Sequence, residues 1–122
     1  MPIADIEIVC PSRQAFERHD AQALADGIGR VLDAAPGTTW VRLRWLPSRQ
    51  YAENGARWSE PVGPVFVALL LGQPPQGAAL DVMVTALTGE VARLLGIAGD
   101  LVHLQLQPPA AGRQAFGGRL VR

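Results

Sequence analysis

The sequence predicts an α/β fold in which two tandem strand–helix–strand (β-α-β) units share one four-stranded sheet, with both helices on one face. The first observation is a repeat: "WVRLRWLP" (40–47) and "LVHLQLQP" (101–108) are alternating strands closed by a proline, and each follows a helix and a turn. The opening strands also match, "PIADIEIV" (2–9) against "PVFVALLL" (64–71). A period of about 60 residues is long for a solenoid, so two copies of one unit fit it better.

The helix of the first unit is predicted over 13–34. Its apolar residues recur at helical spacing and form one stripe, made of Leu24, Ile28, Val31 and Ala35. Ser12 is placed to cap the start of this helix, and Pro36–Gly37 to stop it. We therefore expect one continuous helix between the two strands of the unit.

The helix of the second unit is predicted over 77–95, and Gly96 is placed to end it. Its longer apolar stripe consists of Leu80, Met83, Val84, Leu87, Val91 and Leu94. A right-handed crossover through each helix would make the two strands of each unit parallel.

One face of the predicted sheet has no helix to cover it. Because side chains alternate along a strand, Leu43 and Trp45 should face the helices, whereas Arg42 and Arg44 should face the bare side. Apolar residues make up 48% of the chain, and a bare sheet face in such a chain predicts a homo-oligomer.

Length and composition indicate one compact domain over 1–122, with pseudo-repeats at 2–55 and 64–122. The formal net charge is zero, which argues against nucleic acid as a partner. No apolar run reaches the length of a membrane span, and no signal peptide is recognisable. The single cysteine, Cys10, forms no intrachain disulfide and suits the reducing cytoplasm.

The residue inventory excludes several chemistries. All eleven basic residues are arginine, so Schiff-base chemistry on a lysine is excluded. With two histidines and one cysteine, a zinc site is not expected. The chain has neither a nucleophile elbow nor a phosphate-binding glycine loop.

The second residue is the strongest candidate for chemistry. Met1 precedes a small residue, so its removal is expected, and Pro2 would then carry a free secondary amine that accepts a proton when neutral. An ordinary α-amino group has a pKa of about 7.7–8.0, and burial or neighbouring arginines would lower that of the more basic proline toward working pH. The ring fixes φ and holds the nitrogen in place. A retained Met1 would acylate Pro2 and leave a non-catalytic protein.

The segments "PIADIEIV", "GRVLDAAPGTTWVRLRWLP" and "YAENG" resemble the tautomerase superfamily, and more narrowly 4-oxalocrotonate tautomerase and its relatives. The match is clear over 2–55, whereas over 64–122 it rests on architecture and the internal repeat. The resemblance implies two units per chain, a homotrimer, and catalysis without a metal or organic cofactor.

The resemblance also implies roles for individual residues. Pro2 falls on the catalytic proline, and Arg42 on an arginine that binds a substrate carboxylate, often across a subunit boundary. Tyr51 falls near an aromatic wall of the pocket, and Arg13 lies one residue past the position of a second arginine. Residue types leave alternatives open. Arg42 and Arg44 could form ion pairs between subunits, and Asp5 and Glu7, if they lie on the bare face, could pair with either arginine within the trimer. Tyr51 could pack in a loop.

The C-terminal tail is predicted as a hairpin that docks on a neighbouring chain, where Phe116 would line the pocket. The function predicted is keto–enol tautomerisation of a small unsaturated 2-oxo or 2-hydroxy acid, with Pro2 as general base and Arg42, Arg13 or Arg44 on its carboxylate. The alternatives are a dehalogenase, hydratase or decarboxylase on the same scaffold, and a non-catalytic trimeric homologue.

Overall fold

A computed structural model describes residues 2–122, and the expectation that Met1 is removed concerns a residue outside that range. The main sheet has four strands in the order β2-β1-β3-β4. Its strands are β1 (Ile3–Cys10), β2 (Trp40–Pro47), β3 (Val65–Leu70) and β4 (Val102–Leu106). The helices are α1 (Arg13–Phe16), α2 (Ala21–Val31) and α3 (Ala78–Leu95), and a small hairpin is formed by β5 (Ala115–Phe116) and β6 (Arg119–Leu120).

The strand directions agree with the two predicted units. β1 pairs with β2 in parallel, β3 pairs with β4 in parallel, and the antiparallel pairing of β1 with β3 joins the units into one sheet. The start of β1 therefore lies at the same end of the sheet as the start of β2 and the finish of β3. The predicted four-stranded α/β arrangement is confirmed.

The prediction of one helix over 13–34 is wrong. α1 ends at Phe16, and α2 begins after Asp20, whose carboxylate Oδ1 accepts hydrogen bonds from the backbone N–H groups of Gln22 at 2.9 Å and Ala23 at 3.3 Å. This side-chain cap satisfies orphan donors of a new helix, so the chain turns at 17–20 instead of continuing. α2 also stops at Val31, short of the predicted stop.

Ser12 does cap the first helical segment, as predicted, because its hydroxyl accepts a hydrogen bond from the N–H of Ala15 at 3.1 Å. The helix of the second unit, α3, matches its predicted bounds closely: it ends at Leu95 and is capped by Gly96. The hairpin turns through Gly117 and Gly118, with φ of 56° and 85°. Two successive residues at positive φ form the kind of tight reversal that glycine favours.

Both long helices cover the same face of the sheet. Residues 4, 6, 8 and 10 of β1 form one buried core with apolar residues of α2 and α3, including Leu24, Ile28, Leu87 and Val91. The two helices approach closely at Gly27, where a Cβ atom would lie 2.7 Å from Cδ1 of Leu94. Among residues 2–122, no helix combines the length and the apolar character that crossing a membrane requires.

Candidate active site

The face of the sheet opposite the helices carries the charged side chains of β1 and β2. Asp5 lies opposite Arg42 in the strand register, and Glu7 lies opposite Arg44. The side chains of Arg42 and Arg44 are 65% and 62% exposed, whereas Leu43 and Trp45 pack against the core. The predicted division of β2 into a helix-facing side and an arginine side is therefore confirmed.

Asp5 and Arg42 form a two-point ion pair within one chain. The guanidinium donates from Nε to Oδ1 at 2.5 Å and from Nη2 to Oδ2 at 2.7 Å. The hydrogen bonds from Arg42, together with the charges of Arg42 and Arg44, hold the pKa of Asp5 below its ordinary value, although partial burial acts in the opposite direction. Asp5 is thus an anion next to Arg42 at neutral pH.

Arg44 is held less tightly. Its Nη2 lies 4.0 Å from Oδ2 of Asp5, at the limit of an ion pair. It lines a shallow cavity of about 280 Å³ in the middle of the bare face, together with Glu7, Phe66, His103 and Gln105. The rings of Phe66 and His103 contact each other there at a tilt of 37°, with centroids 5.5 Å apart. Arg44 can therefore turn toward an incoming anion more freely than Arg42.

Pro2 lies at the rim of the sheet where β1 and β2 begin. Its carbonyl oxygen accepts a hydrogen bond from the backbone N–H of Trp40 at 3.0 Å, which fixes the start of β1 beside β2. A cavity of about 270 Å³ opens next to it, lined by Ile3, Trp40, Arg42, Gln114, Ala115, Phe116 and Gly117. A single chain therefore brings the guanidinium of Arg42 and apolar side chains next to Ile3, the residue after Pro2.

The hairpin supplies the aromatic wall of this cavity. The ring of Phe116 meets that of Trp40 edge-on, with centroids 5.2 Å apart and planes at 87°. The sequence predicts that Phe116 lines the pocket of a neighbouring chain, whereas in the structure its ring contacts Trp40 of its own chain. The predicted docking on a neighbour stays a prediction.

Tyr51 lies at the opposite end of the sheet, after β2 has finished. Its hydroxyl donates to Oε2 of Glu53 at 2.5 Å, and this hydrogen bond raises the pKa of Tyr51. Its ring packs against Trp58 and Phe66, with centroids 5.6 and 5.9 Å away. An eight-residue strand is about 25 Å long, so Tyr51 cannot reach the Pro2 of its own chain.

Trp58 was not singled out from the sequence. It lies in the loop before β3, and its indole N–H has no hydrogen-bond partner within residues 2–122. A large aromatic residue in a loop rich in polar residues is expected to pack its ring against other side chains. This expectation is the sequence signal that could have identified Trp58.

Arg13 also lies at the far end of β1, where it opens α1. Its Nε is 3.4 Å from Oε1 of Glu17, and both side chains are largely exposed. One chain therefore brings Arg42 and Phe116 to the Pro2 rim and places Arg44 on the adjoining face. Arg13 and Tyr51 could meet Pro2 only if they came from another chain.

The fold has many solved relatives. No protein-family model and no curated protein matches the chain. The structure of Pt0534 inactivated by 2-oxo-3-pentynoate is 16% identical, with a TM-score of 0.74, covering 98% of this chain and 94% of that one. A macrophage migration inhibitory factor from Oncomelania hupensis is 16% identical, with a TM-score of 0.73, covering 100% of this chain and 83% of that one.

A third structure is a fused 4-OT in the form of a symmetric trimer. It is 15% identical, with a TM-score of 0.69, and the match covers 98% of this chain and 94% of that one. These likenesses extend over almost the whole chain, so they include 64–122, where the sequence motifs give little guidance. At this identity they show a shared fold.

Proposed function

We propose that this chain, which has the tautomerase fold, is a keto–enol tautomerase that acts on small unsaturated 2-oxo or 2-hydroxy acids without a metal or organic cofactor. The whole of 1–122 would act as one domain within a homotrimer in the cytoplasm. The observation that carries the proposal is the position of Pro2, at the start of a central strand and beside a cavity lined by Arg42 and Phe116.

Pro2 would be the general base. Once Met1 is removed, its ring nitrogen is a secondary amine, and in the neutral state it takes the proton from the enol hydroxyl or from the carbon next to the carbonyl. The same nitrogen then returns a proton to another carbon of the conjugated system, so the reaction is balanced without a co-reactant. Its link to Trp40 through the backbone hydrogen bond supports this role, because positioning of the base lowers the entropic part of the barrier.

Arg42 would bind the substrate carboxylate and stabilise the dienolate that forms during proton transfer. Planar guanidinium groups bind carboxylates through two parallel hydrogen bonds, and preorganised cations are effective where negative charge develops. Arg44 is the second candidate on the same face. Arg13 and Tyr51 would contribute only from a neighbouring subunit, because they lie a strand length away from Pro2 in their own chain.

Two of the similar structures support this choice. Pt0534 is inactivated by 2-oxo-3-pentynoate, an unsaturated 2-oxo acid of the class proposed here. The fused 4-OT is a trimer, which agrees with a bare sheet face that a second copy would cover.

The test is an assay of ketonisation with 2-hydroxymuconate and with the enol form of phenylpyruvate, after intact-mass measurement has established the first residue. We expect turnover by the protein that begins at Pro2, loss of about 100-fold or more in kcat for Pro2→Ala, and a similar loss for protein that keeps Met1. Pro108→Ala is the control for proline replacement, because Pro108 is exposed and its nitrogen is in a peptide bond. Equal turnover by the Pro2→Ala variant would rule out the mechanism.

A further inference from the structure

The ion pair between Asp5 and Arg42 limits how Arg42 can meet a substrate. A guanidinium has five N–H donors, and here the edge formed by Nε and Nη2 is already occupied by the two oxygens of Asp5. A substrate carboxylate must therefore use the remaining edge, formed by Nη1 and Nη2. Asp5 fixes the plane of the guanidinium and leaves one two-point docking edge for a ligand.

The charges on this face are balanced before any substrate arrives. Asp5 and Glu7 carry two negative charges, and Arg42 and Arg44 carry two positive charges, on facing positions of two paired strands. The rest of the cavity beside Pro2 has no charge: its other lining side chains are apolar or, at Gln114, neutral. Within this cavity one carboxylate can dock on Arg42, whereas a second would meet apolar walls and the nearby negative charge of Asp5. Arg44 lines the separate cavity of the adjoining face, where Glu7 and Asp5 lie next to it.

We propose that Asp5 is a specificity-determining residue that makes this site select monocarboxylates with an apolar tail over dicarboxylates. The proposal rests on the proposed function, and it names the substrate class of the same site. The tail would lie against Trp40 and Phe116, and the carboxylate would lie on the free edge of Arg42. The negative charge of Asp5 repels a second carboxylate. The hydrogen bonds that Asp5 accepts keep Arg42 in place.

The experiment compares one dicarboxylate, 2-hydroxymuconate, with one monocarboxylate, the enol form of phenylpyruvate. The measured quantity is the ratio of the two kcat/KM values, because a general loss of structure lowers both. Asp5→Asn removes the charge and keeps an oxygen that can accept from Arg42. Glu7→Gln is the matched control, since it removes the same charge from the same strand and face at a position that is not bonded to Arg42.

We expect the wild-type protein to prefer the monocarboxylate, and Asp5→Asn to shift the ratio toward the dicarboxylate by about tenfold, the change expected for one unit charge nearby. Asp5→Glu should restore the preference, and Glu7→Gln should change the ratio by less than about threefold. A shift with Glu7→Gln as large as that with Asp5→Asn would overturn the assignment to Asp5. A wild-type preference for the dicarboxylate would overturn the proposed substrate class.

Equilibrium binding separates this proposal from the proposed function. The unreactive acids 3-phenylpropionate and adipate copy the two substrate classes and need no catalysis. If the wild-type protein turns over neither substrate, tighter binding of 3-phenylpropionate that is lost in Asp5→Asn would still support selection by Asp5. Equal binding of the two acids by both proteins would overturn it. Asp5→Ser serves in the same measurements if Asp5→Asn does not fold.

Discussion

The rings of Trp40 and Phe116 meet at right angles, and this contact holds the C-terminal hairpin against the first residue of β2. Trp40 remains 43% exposed, so the contact covers only part of the indole. Its own N–H donates to the carbonyl of Gly37 at 3.1 Å, which fixes the ring from the other side. An edge-to-face pair of this kind contributes about 0.5–1.5 kcal/mol beyond the area that it buries.

Replacement of Phe116 by alanine should open the cavity beside Pro2. We expect KM for the enol form of phenylpyruvate to rise about fivefold, since roughly 1 kcal/mol of apolar contact is lost, with a smaller change in kcat. Steady-state kinetics measures both constants. Phe116→Leu keeps most of the apolar volume and should stay within about twofold of the wild type. An unchanged KM in the alanine variant would mean that the hairpin does not line the site.

The two arginines of β2 should contribute unequally. Arg42→Gln removes the guanidinium that lines the cavity beside Pro2 and leaves Asp5 without its hydrogen-bond partner, so we expect kcat/KM to fall about 100-fold or more. Arg44→Gln removes a cation that is loosely held and farther from Pro2, and a loss of about tenfold or less is expected. Arg49→Gln, in the turn after β2, is the control that should leave kcat/KM unchanged. A larger fall in kcat/KM for Arg44→Gln than for Arg42→Gln would mean that Arg44 is the main carboxylate-binding residue.

The pair between Asp5 and Arg42 predicts a pH dependence of stability. Because the pKa of Asp5 is lowered in the folded state, the carboxylate stabilises the fold at pH values above its ordinary pKa, and this contribution is lost as the pH falls through the lowered value. The difference in thermal unfolding midpoint between the wild type and Asp5→Asn should be constant from pH 7 to pH 5 and shrink below about pH 4. The same comparison in an Arg42→Gln background should show little pH dependence. A difference that is independent of pH in both backgrounds would assign the effect to packing.

The close approach of the two long helices predicts opposite outcomes for two glycines. Gly89 lies inside α3, and beyond its chain neighbours and the backbone of its own helix nothing lies within 4 Å of an added Cβ, so Gly89→Ala should gain the usual helix propensity of about 0.5–1 kcal/mol. At Gly27 the added Cβ would lie 2.7 Å from Leu94 and 3.1 Å from Glu90, and both side chains would have to move. Gly27→Ala should therefore be less stable than Gly89→Ala by about 1 kcal/mol in chemical denaturation. Equal gains would show that the helices have room to separate.

The strands could be predicted because their signal is local. The alternation of "WVRLRWLP" assigns Arg42 and Arg44 to one face and Leu43 to the other without knowledge of any neighbour. The matching pattern in β4 then predicts the same division in the second unit. The architecture follows from these two segments and the helices before them.

The interruption between α1 and α2 was missed although its signal was present. The apolar residues Leu24 and Ile28 continue a helical period, and that period masked the preference of Asp20 for an N-cap. Periodicity indicates which face of a helix is buried, but it does not indicate where the helix begins.

The partner of Arg42 depends on tertiary structure. Asp5 and Arg42 are 37 positions apart, and only the register of the parallel pair β1–β2 places them opposite each other. In the same way, the contact of Phe116 with Trp40 depends on where the hairpin folds back. The sequence therefore indicates that Asp5 or Glu7 could pair with Arg42 or Arg44, but the specific pair Asp5–Arg42 within one chain depends on the strand register.

Because β1 and β3 pair in antiparallel directions, the two ends of the sheet carry different residues. Pro2 begins β1 at one end, whereas Pro64 precedes β3 at the other, where its carbonyl accepts a hydrogen bond from Val9 at 3.2 Å. A fluorophore attached in the exposed loop around Ala52, which follows the end of β2, would lie about one strand length from the Pro2 of its own chain. A label there would mark one end of the sheet and leave the Pro2 end of the same chain untouched.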